Sequence, residues 1–123
     1  MLVATFGEKV HFGMPGNPVS TCCNTEIFLK PLLRRAFGMR EVVVPWERVE
    51  LAGPCPRDRE RLFFVYARRV VREGRVLVES LGNQNSGNLL LAARGDCLIV
   101  ASVGDGPLEA GEQADVLPVR RGL

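Results

Sequence analysis

Arg61-Leu62-Phe63-Phe64-Val65-Tyr66-Ala67-Arg68-Arg69-Val70-Val71-Arg72-Glu73-Gly74-Arg75-Val76-Leu77-Val78-Glu79-Ser80-Leu81 is the stretch on which the fold turns. Its first twelve residues are rich in β-branched and aromatic side chains, which suit a pleated strand. Its last part alternates, with Val76, Val78 and Ser80 on one face and Leu77, Glu79 and Leu81 on the other. Between them, Arg72-Glu73-Gly74-Arg75 supplies a tight turn, so residues 61–80 read as a β-hairpin. Moving outward, valine-rich Glu41–Leu51 reads as an earlier strand, and Leu98–Val103 and Ala114–Val119 as later ones. Leu89–Ala93 lacks β-branched residues and reads as a helical turn. Five or so short strands with turn punctuation predict a mainly β fold, a small barrel or a sandwich.

Before Gly38 the pattern is different. Residues 10–13 predict a short buried strand. Apolar side chains at Val19, Cys22, Cys23, Ile27, Phe28, Leu32, Leu33, Ala36 and Phe37 then fit one amphipathic helix, with Gly38 as its C-cap. Pro31 falls inside that helix and predicts a bend near Phe28–Lys30, or two shorter helices. The helix opens on Phe12-Gly13-Met14-Pro15-Gly16-Asn17-Pro18-Val19-Ser20. Asn17 suits an N-cap, Pro18 the first helical position, and Gly16 a turn beside the fixed φ of Pro15. Ser20 and Thr21 add hydroxyls in the first turn. Such a junction gathers N–H groups and the positive end of the helix dipole, which favours phosphate or another oxyanion. The plain alternative is a well-capped helix with no ligand.

Composition narrows the classes. The chain has 123 residues, 46% hydrophobic and 24% charged, as a globular protein does. No apolar run reaches the roughly 18–20 residues of a membrane span, and no secretory leader pattern is visible, so the expectation is a cytoplasmic protein with no membrane partner. Net charge is +2, with 14 arginines against Lys9 and Lys30, a skew that GC-rich coding alone would give. Seven arginines crowd residues 57–75, but Asp58, Glu60 and Glu73 sit among them, so a nucleic-acid partner is not expected. Cys22, Cys23, Cys55 and Cys97 form no Cys-x-x-Cys pair and His11 is alone. They read as buried, reduced cysteines and give no metal site.

The motif at residues 12–20 closely resembles the signature of the MoeA/gephyrin family, the molybdopterin molybdenumtransferases. Asn83-Gln84-Asn85-Ser86-Gly87-Asn88-Leu89 resembles that family's later Gln-x-Ser segment. Cys97-Leu98-Ile99-Val100 followed by Leu108–Val116 resembles its closing pattern, in matching order along essentially the whole chain. The resemblance implies that residues 1–39 are a strand-turn-helix remnant of an α/β, MogA-like molybdopterin-binding domain. Residues 40–123 would be the small C-terminal β-barrel. It also implies that the domains before them, including an elongated one used in homodimerisation, belong to a longer parent.

Such a parent inserts molybdate into adenylylated molybdopterin, with magnesium assisting, to give molybdenum cofactor and AMP. Pro15, Gly16, Asn17, Pro18, Ser20, Gln84 and Ser86 would line the ligand pocket. No residue here matches a catalytic group or a metal ligand. The chain alone is expected to bind no cofactor and to be inactive. In the family's Phe-x-Arg pattern, Phe64-Val65-Tyr66 has tyrosine in the arginine position. Arg68, two residues on and on the same strand face, is the candidate replacement as an anion contact. The alternative function is a non-catalytic binding or assembly module, a gephyrin-like scaffold or a subunit of a split insertase.

Overall fold

The computed structural model describes residues 1–82, 88–119 and 122. Its body is one antiparallel sheet of five strands in the order β3-β7-β6-β4-β5, so the fold is mainly β. These are β3 (Glu47–Glu50), β4 (Phe63–Arg72), β5 (Arg75–Ser80), β6 (Cys97–Ala101) and β7 (Gln113–Pro118). The predicted hairpin is present, with register from Arg72↔Arg75 to Ala67↔Ser80. Glu73 (φ 51°) and Gly74 (φ 73°) are both left-handed, the turn geometry that matches strand twist. On its other side β4 pairs Phe63–Ala67 with Cys97–Ala101 of β6.

The sheet curls until its edge strands touch at one point. There Leu51 lies beside Val78, and the Ala52 N–H donates to the Val78 carbonyl at 2.8 Å. The result is a half-barrel. Its interior packs Leu51, Cys55, Val65, Ala67, Val78, Ile99 and Val116. The outer face carries Tyr66, Leu98 and Leu117 under Val19, Cys22, Cys23 and Ile27 of the helix, with Leu91 of α3 (Leu90–Arg94). Because strand residues alternate faces and both faces are covered, all of Cys97–Ala101 is buried. Neighbours Leu77 and Val78, which simple alternation had separated, are both buried.

The predicted bend is a π-helical turn. The chain runs α1 (Pro18–Asn24), the π turn Thr25–Leu29 and α2 (Lys30–Ala36). The Lys30 N–H bonds to the Thr25 carbonyl, one residue further back than in an α-helix. Pro31 has no N–H for the Ile27 carbonyl and its ring crowds that position; widening by one residue relieves both. Gly38 (φ 68°) ends the helix, with Gly38 N–H bonded to the Arg35 carbonyl and Met39 N–H to that of Arg34.

Three expectations need correction. The strand at residues 10–13 exists as β2 (Lys9–Gly13) but is exposed apart from half-buried Phe12. It pairs with β1 (Leu2–Phe6) in a separate two-stranded ribbon, where Leu2 and Phe6 stay largely in solvent because nothing packs on them. The strand at Glu41–Leu51 begins only at Glu47, because Pro45 cannot donate to a ladder and restricts Val44. Val44 instead turns into the outer core, and buried Arg34 donates to the Val42 carbonyl at 3.5 Å. Cys22 and Cys23 are half-buried, whereas Cys55 and Cys97 are buried as expected.

Candidate functional site

The turn before α1 is held by its own side chains. Asn17 caps the helix: its Oδ1 accepts from the Val19 N–H at 3.0 Å and the Ser20 N–H at 3.4 Å. Pro18 occupies the first helical position. The Thr21 hydroxyl donates back to the Pro15 carbonyl at 2.5 Å and lies 3.1 Å from that of Asn17. These bonds fix Pro15, Gly16 and Asn17 as one rigid unit. They also occupy the Val19 and Ser20 N–H groups, so the donors left open at this turn are the Gly16 and Asn17 N–H groups, the Asn17 Nδ2 and the Ser20 hydroxyl. A Cβ on Gly16 would meet nothing within 4 Å; the glycine leaves that face of the turn bare for a close approach.

Asn17 and Ser20 also line a cavity of about 250 Å³ between the helix and the start of β4, with Asn24, Phe28, Phe63 and Phe64. Tyr66 forms its floor and is only 2% exposed. Burial, then the neighbouring Cys23, Cys22 and Glu26, push its hydroxyl well above the ordinary tyrosine range, so it is neutral.

Arg68 does not share that cavity. It faces Glu79 across the β4–β5 pair, with Nε and Nη2 donating to Oε2 at 3.1 and 2.7 Å. Arg72 donates to the other oxygen at 3.1 Å. The Arg68 hydrogen bonds, then the charges of Arg68 and Arg72, hold the Glu79 carboxyl below its usual range. Arg68 lines a second cleft with Glu79, Ser80 and Arg94. Gln84 and Ser86 lie outside the described residues. The structure therefore brings Pro15–Ser20 together and sets Arg68 apart from them.

Four of the other crowded arginines are engaged too. Arg69 pairs with Glu47 and Arg59 with Asp105, both at 2.7 Å, and Arg75 with Glu50 at 3.1 Å. Arg57 holds the Asp105 and Gly106 carbonyls at 2.7 Å each. Burial pushes the Cys55 thiol up to about 11, and burial with Glu26 and Cys22 pushes Cys23 up to about 12, so neither is a nucleophile at neutral pH. Among the described residues no three His, Cys, Asp or Glu side chains gather as a metal site. The magnesium implied for a longer parent thus finds no ligand set in them. No described helix is long and apolar enough to cross a membrane.

Sequence reasoning did not single out Asn24 or Arg94. The row Ser20, Asn24, Phe28 at four-residue spacing was the available signal for the first, since such residues share a helix face.

Comparison with known proteins bears on the same residues. The family described as MoeA C-terminal region (domain IV) matches residues 48–119. The chain is 24% identical over 115 residues to a molybdopterin molybdenumtransferase of Staphylococcus aureus (strain COL), covering 94% of this chain and 27% of that protein. It is 33% identical over 124 residues to the molybdenum cofactor synthesis protein cinnamon of Drosophila melanogaster, covering 91% of this chain and 19% of that protein. The crystal structure of the molybdopterin biosynthesis moeA protein from Pyrococcus horikoshii OT3 has the same fold. Its TM-score is 0.66 at 18% identity, covering 85% of this chain and 26% of that one. The chain thus spans about a quarter or less of these relatives.

Proposed function

Because the chain belongs to the MoeA C-terminal domain family, we propose that it is the C-terminal part of a molybdenum insertase, a protein that transfers molybdate into adenylylated molybdopterin and releases AMP. In this reading residues 1–39 close the α/β ligand-binding domain and residues 40–123 are the half-barrel that flanks it. The observation that carries the proposal is the rigid Pro15–Pro18 turn. Its capping leaves the Gly16 and Asn17 N–H groups and the Ser20 hydroxyl unused by the helix's own hydrogen bonds, beside a bare glycine face. A phosphate-rich ligand is held by such donors. Pro15 and Pro18 shape the floor, Gly16 and Asn17 donate, and Ser20, Gln84 and Ser86 complete the pocket. Arg68, paired with Glu79 in a separate cleft, is left out of that pocket. Magnesium and the acidic residues of the reaction belong to the preceding domains, as does any homodimer contact.

The test is the endogenous protein, captured from source cells with an antibody to the half-barrel and assayed for molybdate-dependent AMP release. A species well above 13.5 kDa that releases AMP supports the reading. A 13.5 kDa species without turnover, bound to a second protein, supports the assembly-module alternative.

A further inference from the structure

We propose that the small cavity between α2, residues 43–46 and the end of β7 binds a monocarboxylate on a short apolar stem, held by buried Arg34. Neither the turn at residues 15–20 nor Arg68 lines this cavity, so the site stands apart from the insertase reading.

Arg34 is the first argument. It lies in the last turn of α2 and is only 3% exposed, the one charged side chain among the described buried residues. A guanidinium stays charged and carries five N–H donors. Among the described residues its single hydrogen bond runs from Nη1 to the Val42 carbonyl at 3.5 Å, beyond the usual length of about 2.7–3.2 Å. No carboxylate among them pairs with it. Yet every fully enclosed side-chain nitrogen or oxygen of the described residues has a partner. The unpartnered nitrogens of Arg34 are therefore not sealed in protein; they open on the cavity that the residue lines. An isolated buried charge is costly, so this one calls for an anion.

Size and walls say which anion. The cavity holds about 120 Å³, the volume of about four waters, so a group of roughly six heavy atoms fits. A nucleotide or a peptide backbone does not. Ile27, Val44 and Leu117 give apolar walls, and half-exposed Trp46 adds an indole. A stem of methyl groups gains from these walls, and a bare inorganic ion does not.

Charge sets the valence. Glu26 also lines the cavity, but Lys30 Nζ holds its Oε1 at 2.5 Å, and both side chains are largely buried. That pair cancels and leaves the single positive charge of Arg34. One such charge matches a carboxylate, whose two oxygens accept the planar guanidinium fork. A phosphate monoester carries about −1.5 to −2 at neutral pH, more than a lone guanidinium balances. Because the walls come from the helix, residues 43–46 and β7, an occupant also braces the helix against the half-barrel.

The test is a titration of the whole chain with isobutyrate at constant ionic strength, read by NMR at the indole N–H of Trp46, the only tryptophan. Isobutyrate should shift that signal saturably, with a Kd on the order of millimolar, and raise Tm as its concentration rises. Isobutyramide, the same shape without the charge, and methyl phosphate should bind at least about tenfold more weakly. Arg34→Met should abolish the response while Tm holds or rises, because it removes an unpaired buried charge. Val43 lines the cavity at 62% exposure, so Val43→Asp keeps the fold and should weaken isobutyrate several-fold by repulsion. That variant carries the test if Arg34→Met does not fold. No saturable shift, isobutyramide bound as tightly as isobutyrate, or isobutyrate bound unchanged by the variants overturns the proposal. So does N-acetyl-aspartate methylamide bound more than about tenfold tighter than isobutyrate, which would make the cavity a seat for a protein side chain. None of these results touches AMP release, so the insertase reading stands or falls separately.

Discussion

Replacing Asn17 separates the two roles that the turn combines. Its Oδ1 makes one bond of ordinary length, 3.0 Å to Val19 N–H, and one long bond, 3.4 Å to Ser20 N–H. Pro18 and the Thr21 hydroxyl hold the turn independently. Asn17→Ala therefore removes about one effective capping bond, about 1 kcal/mol. With an unfolding entropy of about 2.1 cal/mol/K per residue over 123 residues, Tm falls by about 4 °C. Asn17→Asp keeps the acceptor and adds negative charge at the positive end of the helix, about 0.3–1 kcal/mol of stabilisation. Its Tm should match or exceed that of the parent chain. For an anionic ligand at the turn the order changes, because the introduced carboxylate repels what the neutral amide of Asn17 admits. Calorimetry at neutral pH gives the stabilities, and NMR titration with ribose 5-phosphate gives the affinities. If Asn17→Asp melts as low as Asn17→Ala, the side-chain oxygen is not the cap. If Asn17→Asp binds the phosphate as well as the parent chain does, the turn is only a helix start.

Other expectations test the frame around the site. Glu73 is non-glycine at φ 51°, so Glu73→Gly should relieve about 1 kcal/mol of strain and raise Tm, whereas Gly74→Val at φ 73° should lower it. The buried Cys55 and Cys97 thiols should react slowly with a disulfide reagent at pH 8 in the folded chain, and all four should react quickly in denaturant; rapid loss of Cys55 would contradict its burial. The Glu79 carboxyl should titrate below the usual value of about 4.3. Because the folded value is depressed, the stability from its Arg68 and Arg72 contacts is present above that usual value. It is lost as pH falls through the depressed one. Glu79→Gln should flatten the acid side of the stability profile by less than about 1 kcal/mol, as for other exposed pairs.

Local chemistry was legible in the sequence wherever a few neighbouring residues decide the conformation. Glu73-Gly74 set the hairpin, Asn17-Pro18 the helix start, Gly38 its end, and Pro31 the place where the helix departs from α geometry. What depends on partners far along the chain was not legible. Residues 10–13 alternate like a buried strand, but β2 has only β1 beside it and no cover. Tyr66 reads as one side of a two-faced strand, yet the helix buries it from the outside as Ile99 and Val65 fill the inside. Arg68 reads as a free cation until the register sets it opposite Glu79. The cavity joins Ser20 and Asn24 to Phe63 and Phe64, which only the docking of helix on sheet brings together.

The central claim, that this chain supplies the C-terminal quarter of a molybdenum insertase, is tested most directly by exchange. The corresponding 27% of the Staphylococcus aureus molybdopterin molybdenumtransferase is replaced by this chain, and AMP release from adenylylated molybdopterin is measured with and without molybdate. The account predicts molybdate-dependent AMP release that Asn17→Asp reduces. A folded exchange protein that binds adenylylated molybdopterin as tightly as its parent, yet releases no AMP when molybdate is added, would contradict it.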